Sequence, residues 1–188
     1  MNGSGGMTVG MTVWLTGLPS AGKSTLATHA AAALTTQEHR VQVLDGDELR
    51  HDLCADLGYS PADRDTNVRR VGYVARLLAA NGVVVLVSVI APYARSRAAV
   101  RAAHEEYGVR YLEVYIATPI AVCAERDVKG LYAKQRAGEL TGLTGVDDPY
   151  ESPEAPDLRL DTSGHSIADS VTSLLGCVLG GSTATVGP

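Results

Sequence analysis

The sequence predicts an α/β fold, a parallel β-sheet with helices on both faces in a three-layer sandwich, and three observations carry that prediction. Short apolar runs rich in β-branched residues recur at 11–16, 41–44, 83–90, 111–117 and 158–160. Stretches with helical spacing separate them, so strand and helix alternate along the chain, which calls for right-handed crossovers and places ligands outside the carboxyl ends of the strands. The length of 188 residues, with 45% apolar and 20% charged residues, fits one compact globular unit rather than a disordered or repetitive chain.

Each element has its own justification. Residues 1–10 are rich in Gly and Ser and lack the basic and apolar regions of a signal peptide, so they read as a flexible leader. The run 11–16 is the first strand, with Trp14 in the core, and 23–34 is an Ala-rich helix. A second strand at 41–44 precedes a helix at 61–80, where Val68, Val71, Val74, Ala75 and Leu78 fall on one face. The stretch 83–90 is the most hydrophobic, yet it is far short of the ~20 residues that span a bilayer, and no membrane anchor is expected. Helices at 95–106 and 121–126 flank a strand at 111–117, and a strand at 158–160 precedes a helix at 167–179. Residues 127–156 carry charges, glycines and prolines without a sustained period and are too long for an ordinary connection, so they read as a mobile lid within one domain spanning 11–179. The end, 180–188, is Gly/Ser/Thr-rich and reads as a flexible tail.

Composition excludes several function classes. A net charge of -5, from 16 Lys+Arg and 21 Asp+Glu, argues against binding to nucleic acid or an acidic membrane, so any anion must be held locally. Three scattered cysteines make neither a disulfide framework nor a zinc knuckle, and a reducing, cytoplasmic setting is expected. Cys54 and Cys123 read as small buried residues in helices. The five histidines show no metal-ligand spacing and read as surface or helix-end residues.

Residues 17–24, Gly-Leu-Pro-Ser-Ala-Gly-Lys-Ser, match GxxxxGK[ST] directly after the first strand and directly before the first helix. Such a loop turns backbone N–H groups toward phosphate oxygens at a helix N-terminus; Lys23 reaches the β/γ-phosphates and Ser24 holds Mg²⁺. ATP and Mg²⁺ are the implied ligands, with Gly17, Leu18, Pro19, Ser20, Ala21, Gly22, Lys23, Ser24 and Thr25 around the nucleotide. The second strand ends in Asp45-Gly46-Asp47, while the third, ending Val87-Ser88-Val89-Ile90, offers no acidic residue. Asp47 is therefore the candidate to accept a proton from an acceptor hydroxyl or to face the metal, with helix capping as its alternative role, and Asp45 reads as structural. Basic residues gather beyond that point at Arg50, Arg64, Arg69-Arg70, Arg95, Arg97 and Lys129, which suits a second anion; Arg70, Arg95, Arg97 and Arg101 read equally as a solvated helix face.

Taken with Leu57-Gly58-Tyr59-Ser60, Ala62-Asp63-Arg64, Asn67-Val68-Arg69-Arg70, Arg126-Asp127, Lys129-Gly130-Leu131-Tyr132, Arg136-Ala137-Gly138-Glu139 and Thr144-Gly145-Val146-Asp147-Asp148-Pro149-Tyr150-Glu151, these motifs resemble the adenylylsulfate kinase family over 11–179. The resemblance implies transfer of the ATP γ-phosphoryl group to the 3′-hydroxyl of adenosine 5′-phosphosulfate (APS), giving PAPS and ADP, with Mg²⁺ and a homodimer. By position, Lys23 and Asp47 would be catalytic, with Asp47 as base; Arg50, Arg64, Asn67 and Lys129 would hold the acceptor, and Tyr59 would stack on its adenine. Ile90, Ala91, Gly142 and Leu143 would line the acceptor site, Ser24 and Asp47 would face the metal, and Arg126 and Arg136 would close over the nucleotide. Three residues depart from the family pattern on the acceptor side. Glu48 replaces an Asn, Ala91 removes a Ser and so any phosphoserine intermediate there, and Leu143 replaces a Phe of the adenine clamp while retaining some apolar contact. They raise the alternative of a kinase of the same build acting on another nucleotide-like or small hydroxyl compound.

Overall fold

The computed structural model describes residues 10–180, so nearly all of the leader and tail read at 1–10 and 180–188 lies outside the described residues. Five strands, β1 (Met11–Gly17), β2 (Val41–Asp45), β3 (Val84–Ser88), β4 (Arg110–Ile116) and β5 (Leu158–Leu160), form one sheet in the order β2-β3-β1-β4-β5. Every pairing is parallel. The expected α/β sandwich is what the chain adopts. β1 lies in the middle and is buried at every position, which explains why its sequence reads as a nearly continuous apolar run. The chain turns to one side of β1 for β2 and β3 and to the other for β4 and β5, so β1 marks the point where strand order reverses. A crevice opens there at the carboxyl ends.

Helices α1 (Lys23–Thr36) and α7 (Ile167–Gly180) pack together on one face, and α3 (Pro61–Ala80) and α4 (Ala94–Glu106) pack together on the other. The two faces bury separate apolar clusters. One holds Val13, Leu15, Leu26, Leu34, Leu86, Val114 and Leu174, and the other Trp14, Val68, Val71, Ala75, Val85, Val87 and Val100. β3 ends at Ser88 rather than at residue 90, because the chain then turns through Ala91, whose φ is 45°.

Among the described residues three short helices complete the fold: α2 (Gly46–His51), α5 (Ile120–Arg126) and α6 (Leu131–Arg136). α6 lies inside the segment expected to lack periodic structure, and α2 occupies the stretch that Asp47 was weighed as capping. α3 starts where its sequence allows. Ser60 caps it by accepting from the Asp63 N–H at 3.2 Å and donating to its carboxylate at 2.7 Å, and Pro61 supplies the first helical φ. Cys54 is buried as expected, but it lies in a turn after α2, where its N–H donates to the Leu49 carbonyl at 2.9 Å. His104 sits near the end of α4 and is fully buried, with Nδ1 2.8 Å from the Val100 carbonyl and Nε2 2.9 Å from the Thr12 hydroxyl; burial lowers its pKa.

Candidate active site

The loop 17–22 connects the buried β1 to α1 and closes around its own lysine. Gly22, at φ 104°, holds a left-handed turn before α1 and offers no side chain to cap it, so the first N–H groups of a 14-residue helix remain free for an anion. Lys23 is buried, and its ammonium donates to the carbonyls of Gly17 at 2.9 Å and Leu18 at 2.7 Å. Burial pulls its pKa down to about 8.

Below this loop lies a hydroxyl brace that the motif alone did not disclose. Thr118, just past β4, and Thr162, just past β5, place their hydroxyls 3.0 and 2.9 Å from the Ala21 carbonyl and 2.7 Å from each other. Arg126, the last residue of α5, donates to the Thr162 hydroxyl and carbonyl, each at 2.8 Å, and so stands against the phosphate loop. Only one cue for Thr118 and Thr162 exists in the sequence: both follow strand ends, where this topology gathers its ligand groups. Arg136, at the end of α6, is exposed.

Asp45 and Asp47 divide the work differently from the expectation. Asp45 is the cap of α2, accepting from the Asp47 N–H at 2.9 Å, which removes capping as Asp47's role. The same Asp45 carboxylate accepts the Ser24 hydroxyl at 2.6 Å, and the Ser88 hydroxyl lies 3.0 Å from Ser24. The carboxylate hydrogen-bonded to Ser24 is thus Asp45 rather than Asp47. This grouping of hard oxygen donors fits Mg²⁺, which is commonly held by one or two carboxylates together with substrate phosphates. Asp47 is exposed and paired with Lys129, in the segment 127–156.

On the acceptor side, Arg50 donates to the Gly58 carbonyl at 2.7 Å and lies 4.8 Å from the centre of the Tyr59 ring, itself 71% exposed. Arg64 is buried, and each of its three guanidinium nitrogens donates to a group within the protein. Nε donates to the Tyr59 carbonyl at 2.9 Å, one terminal nitrogen donates to Thr144 at 2.9 Å and the other to the Gly142 carbonyl at 2.7 Å, and Asp148 lies 3.6 Å from Nε. Asn67 is also buried, and its Oδ1 has no hydrogen-bond partner among the described residues, a polar atom left open. The Ile90 carbonyl accepts from Thr16 at 2.6 Å, and the Ala91 carbonyl accepts from Arg97 at 2.7 Å.

Leu143 is buried in the apolar cluster that holds Ala21 and Tyr132. Glu48 is exposed. Of the arginines read as a solvated face, Arg95 fits, with its side chain 71% exposed, whereas Arg97 is buried against Glu113 at 2.7 Å.

A parallel sheet with its strand order reversing at β1, a phosphate loop at that point and a carboxylate at the end of the second strand define a P-loop phosphotransferase. Comparison with known proteins narrows the class. The family model described as adenylylsulphate kinase matches residues 9–161. An adenylyl-sulfate kinase from Myxococcus xanthus is 51% identical over 174 residues, covering 93% of this chain and 91% of that protein. A probable adenylyl-sulfate kinase from Synechocystis sp. is 50% identical over 162 residues, covering 86% and 89%. The solved structure of the Mycobacterium tuberculosis APS kinase CysC in complex with AMPPNP and APS superposes with a TM-score of 0.87 at 47% identity, covering 90% of this chain and 97% of that one. This chain belongs to the adenylylsulphate kinase family.

Proposed function

We propose that the chain transfers the γ-phosphoryl group of ATP to the 3′-hydroxyl of adenosine 5′-phosphosulfate, releasing PAPS and ADP. The observation that carries this reading is the pairing of Asp47 with Lys129, which joins the strand-end carboxylate to the lid. In the proposed cycle Lys23 leaves the Gly17 and Leu18 carbonyls for the phosphates of the donor, and with a pKa of about 8 it is largely charged at neutral pH. Lys129 moves from Asp47 toward the acceptor's anionic groups, freeing the carboxylate to take the proton of the attacking hydroxyl. Tyr59, with Arg50 against its ring, offers one stacking face for an adenine, and the open Oδ1 of Asn67 offers an acceptor for a donor on the substrate. Arg64 holds the inner lid, while Arg126 and Arg136 bear on the nucleotide side. Since phosphoryl transfer is mainly positioning and charge stabilisation, these arrangements carry most of the catalysis, and lid closure excludes water from the activated phosphate. Ser24 and Asp45 would hold Mg²⁺, which supplies neutralisation of charge on the β- and γ-oxygens when bound. The reading extends to a homodimer and a cytoplasmic setting, in keeping with three buried free cysteines.

The test is ADP release with ATP, Mg²⁺ and adenosine 5′-phosphosulfate, beside adenosine, AMP and 3′-dephospho-CoA. Fast turnover with adenosine 5′-phosphosulfate alone is expected; turnover with one of the other acceptors instead would reassign the substrate and make Glu48, Ala91 and Leu143 its determinants. Asp47→Asn should lower turnover roughly 10²–10⁴-fold while nucleotide still binds, and near-normal turnover would remove Asp47 as the base.

A further inference from the structure

Arg97 stands apart from the other arginines of α4. Its side chain is 2% exposed, and its guanidinium is spent on three partners from three different parts of the chain. Nε pairs with Glu113 on β4 at 2.7 Å, one terminal nitrogen donates to the Ala91 carbonyl at 2.7 Å, and the other donates to the Glu151 carbonyl at 2.6 Å. Ala91 holds a φ of 45°, a left-handed conformation that a residue with a Cβ adopts only when its surroundings impose it. The preceding carbonyl, that of Ile90, accepts from Thr16, the last residue before the phosphate loop begins at Gly17. Thr16 has a single proton to give, so the Tyr150 hydroxyl, 3.0 Å away, is the donor between those two groups.

The next residue completes the ring. The Glu151 N–H donates to the Pro92 carbonyl at 2.9 Å, and the Glu151 carboxylate accepts the Ala94 N–H, the first of α4, at 2.6 Å. The turn 90–93, the root of the lid at 150–151, the end of β1 and β4 are therefore fastened together, with one buried planar cation at the junction. A fork of N–H donors suits this task because it can reach two carbonyls and a carboxylate in one plane, which an ammonium on a flexible stem cannot.

We infer that Arg97 is a positioning residue for phosphoryl transfer, setting the acceptor-side turn 90–93 and the root of the lid in a single arrangement relative to the phosphate loop. The inference rests on the acceptor reading given above, in which the backbone at Ile90 borders the acceptor. It touches neither substrate; it acts through the Ala91 and Glu151 carbonyls. A displacement of the turn by about 1 Å is enough to cost a large part of the transfer rate, without any change in how the nucleotide is held.

The experiment compares wild type with Arg97→Lys and Arg97→Met. The readouts are kcat and KM for adenosine 5′-phosphosulfate, nucleotide Kd by calorimetry, and amide hydrogen exchange over 88–94 and 145–152. Expected in Arg97→Met is a roughly ten-fold or larger rise in acceptor KM with a similar fall in kcat, nucleotide Kd within about two-fold, and faster exchange in both segments; Arg97→Lys, which keeps the charge beside Glu113, should lie between. A lower melting temperature with kcat and acceptor KM unchanged per nucleotide-binding site would overturn it, as would equal weakening of nucleotide and acceptor. Should the Arg97 variants fail to fold, Glu151→Gln, altered at an exposed side chain, is expected to raise acceptor KM by a smaller factor, and an unchanged KM there overturns the proposal. Absence of turnover by wild type with this acceptor would sink the acceptor reading, and the exchange arm would still decide the inference: coupled acceleration of both segments supports it, and acceleration confined to α4 overturns it.

Discussion

Lys23 sits among carbonyl oxygens, with no carboxylate in direct contact, and burial brings its pKa from 10.5 to about 8. Its folded pKa is depressed, so the stability linked to this group is present above pH 10.5 and lost as pH falls through about 8. At neutral pH the buried charge therefore costs on the order of 3 kcal/mol of fold stability. Phosphate oxygens reverse that balance by favouring the charged form. Nucleotide binding at pH 8.5 should take up a proton, and nucleotide affinity should weaken above pH 8 by up to about ten-fold per unit. Calorimetry in two buffers of different ionisation heat measures the uptake, and Lys23→Met should abolish it; uptake that persists in that variant would place the proton elsewhere. The same scale shows what a motif can and cannot disclose. The GK[ST] spacing identified Lys23 and Ser24, because the loop is contiguous. It did not identify Asp45 as the partner of Ser24, since that choice depends on the way α2 leaves β2.

At the level of elements, α3 and α4 approach each other at Gly72. A Cβ on Gly72 would lie 2.7 and 2.9 Å from the two methyl carbons of Val100, which is buried and β-branched, with little rotamer freedom to yield. Gly72→Ala would gain about 1 kcal/mol of helix propensity and lose about 1–3 kcal/mol to overpacking. Net destabilisation of about 1 kcal/mol is expected in urea unfolding, and a more stable variant would mean that the two helices separate easily. Long elements such as α3 were legible because twenty residues give several turns of one apolar face. The short helices α2 and α6 have too few residues to show a period. α2 buries none of its six residues and starts on the Asp45 cap, while α6 buries only Tyr132. α6 is held by Asp127, whose carboxylate accepts from the Tyr132 and Ala133 N–H groups at 3.0 and 2.8 Å. A carboxylate reaching five and six residues ahead leaves no periodic trace.

For the molecule as a whole, the parallel sheet followed from alternation along the chain and the place of the phosphate loop from a contiguous motif, whereas the strand order and the acceptor side depend on contacts between distant residues. Arg64 is the main one, joining the first turns of α3 to Gly142, Thr144 and Asp148 in the lid segment. Its motif gave its number but not its direction, which is toward Gly142 and Thr144. Removing the side chain would leave the Gly142 carbonyl, the Thr144 hydroxyl and the Asp148 carboxylate short of a buried donor, so the lid should open more often while the sheet stays intact. Lys129, Lys134 and Arg136 are exposed on that segment and make it a trypsin substrate whenever it opens. Limited trypsin digestion of Arg64→Ala without ligands should therefore cut the lid roughly ten-fold faster than wild type, since cleavage follows the population of the open form. Arg70→Ala is the control, because Arg70 pairs with Asp56 at the surface away from the lid. Equal cleavage of Arg64→Ala and wild type would mean that Leu143 and its apolar neighbours hold the lid without the arginine, whereas faster cleavage in both variants would point to general loosening of α3.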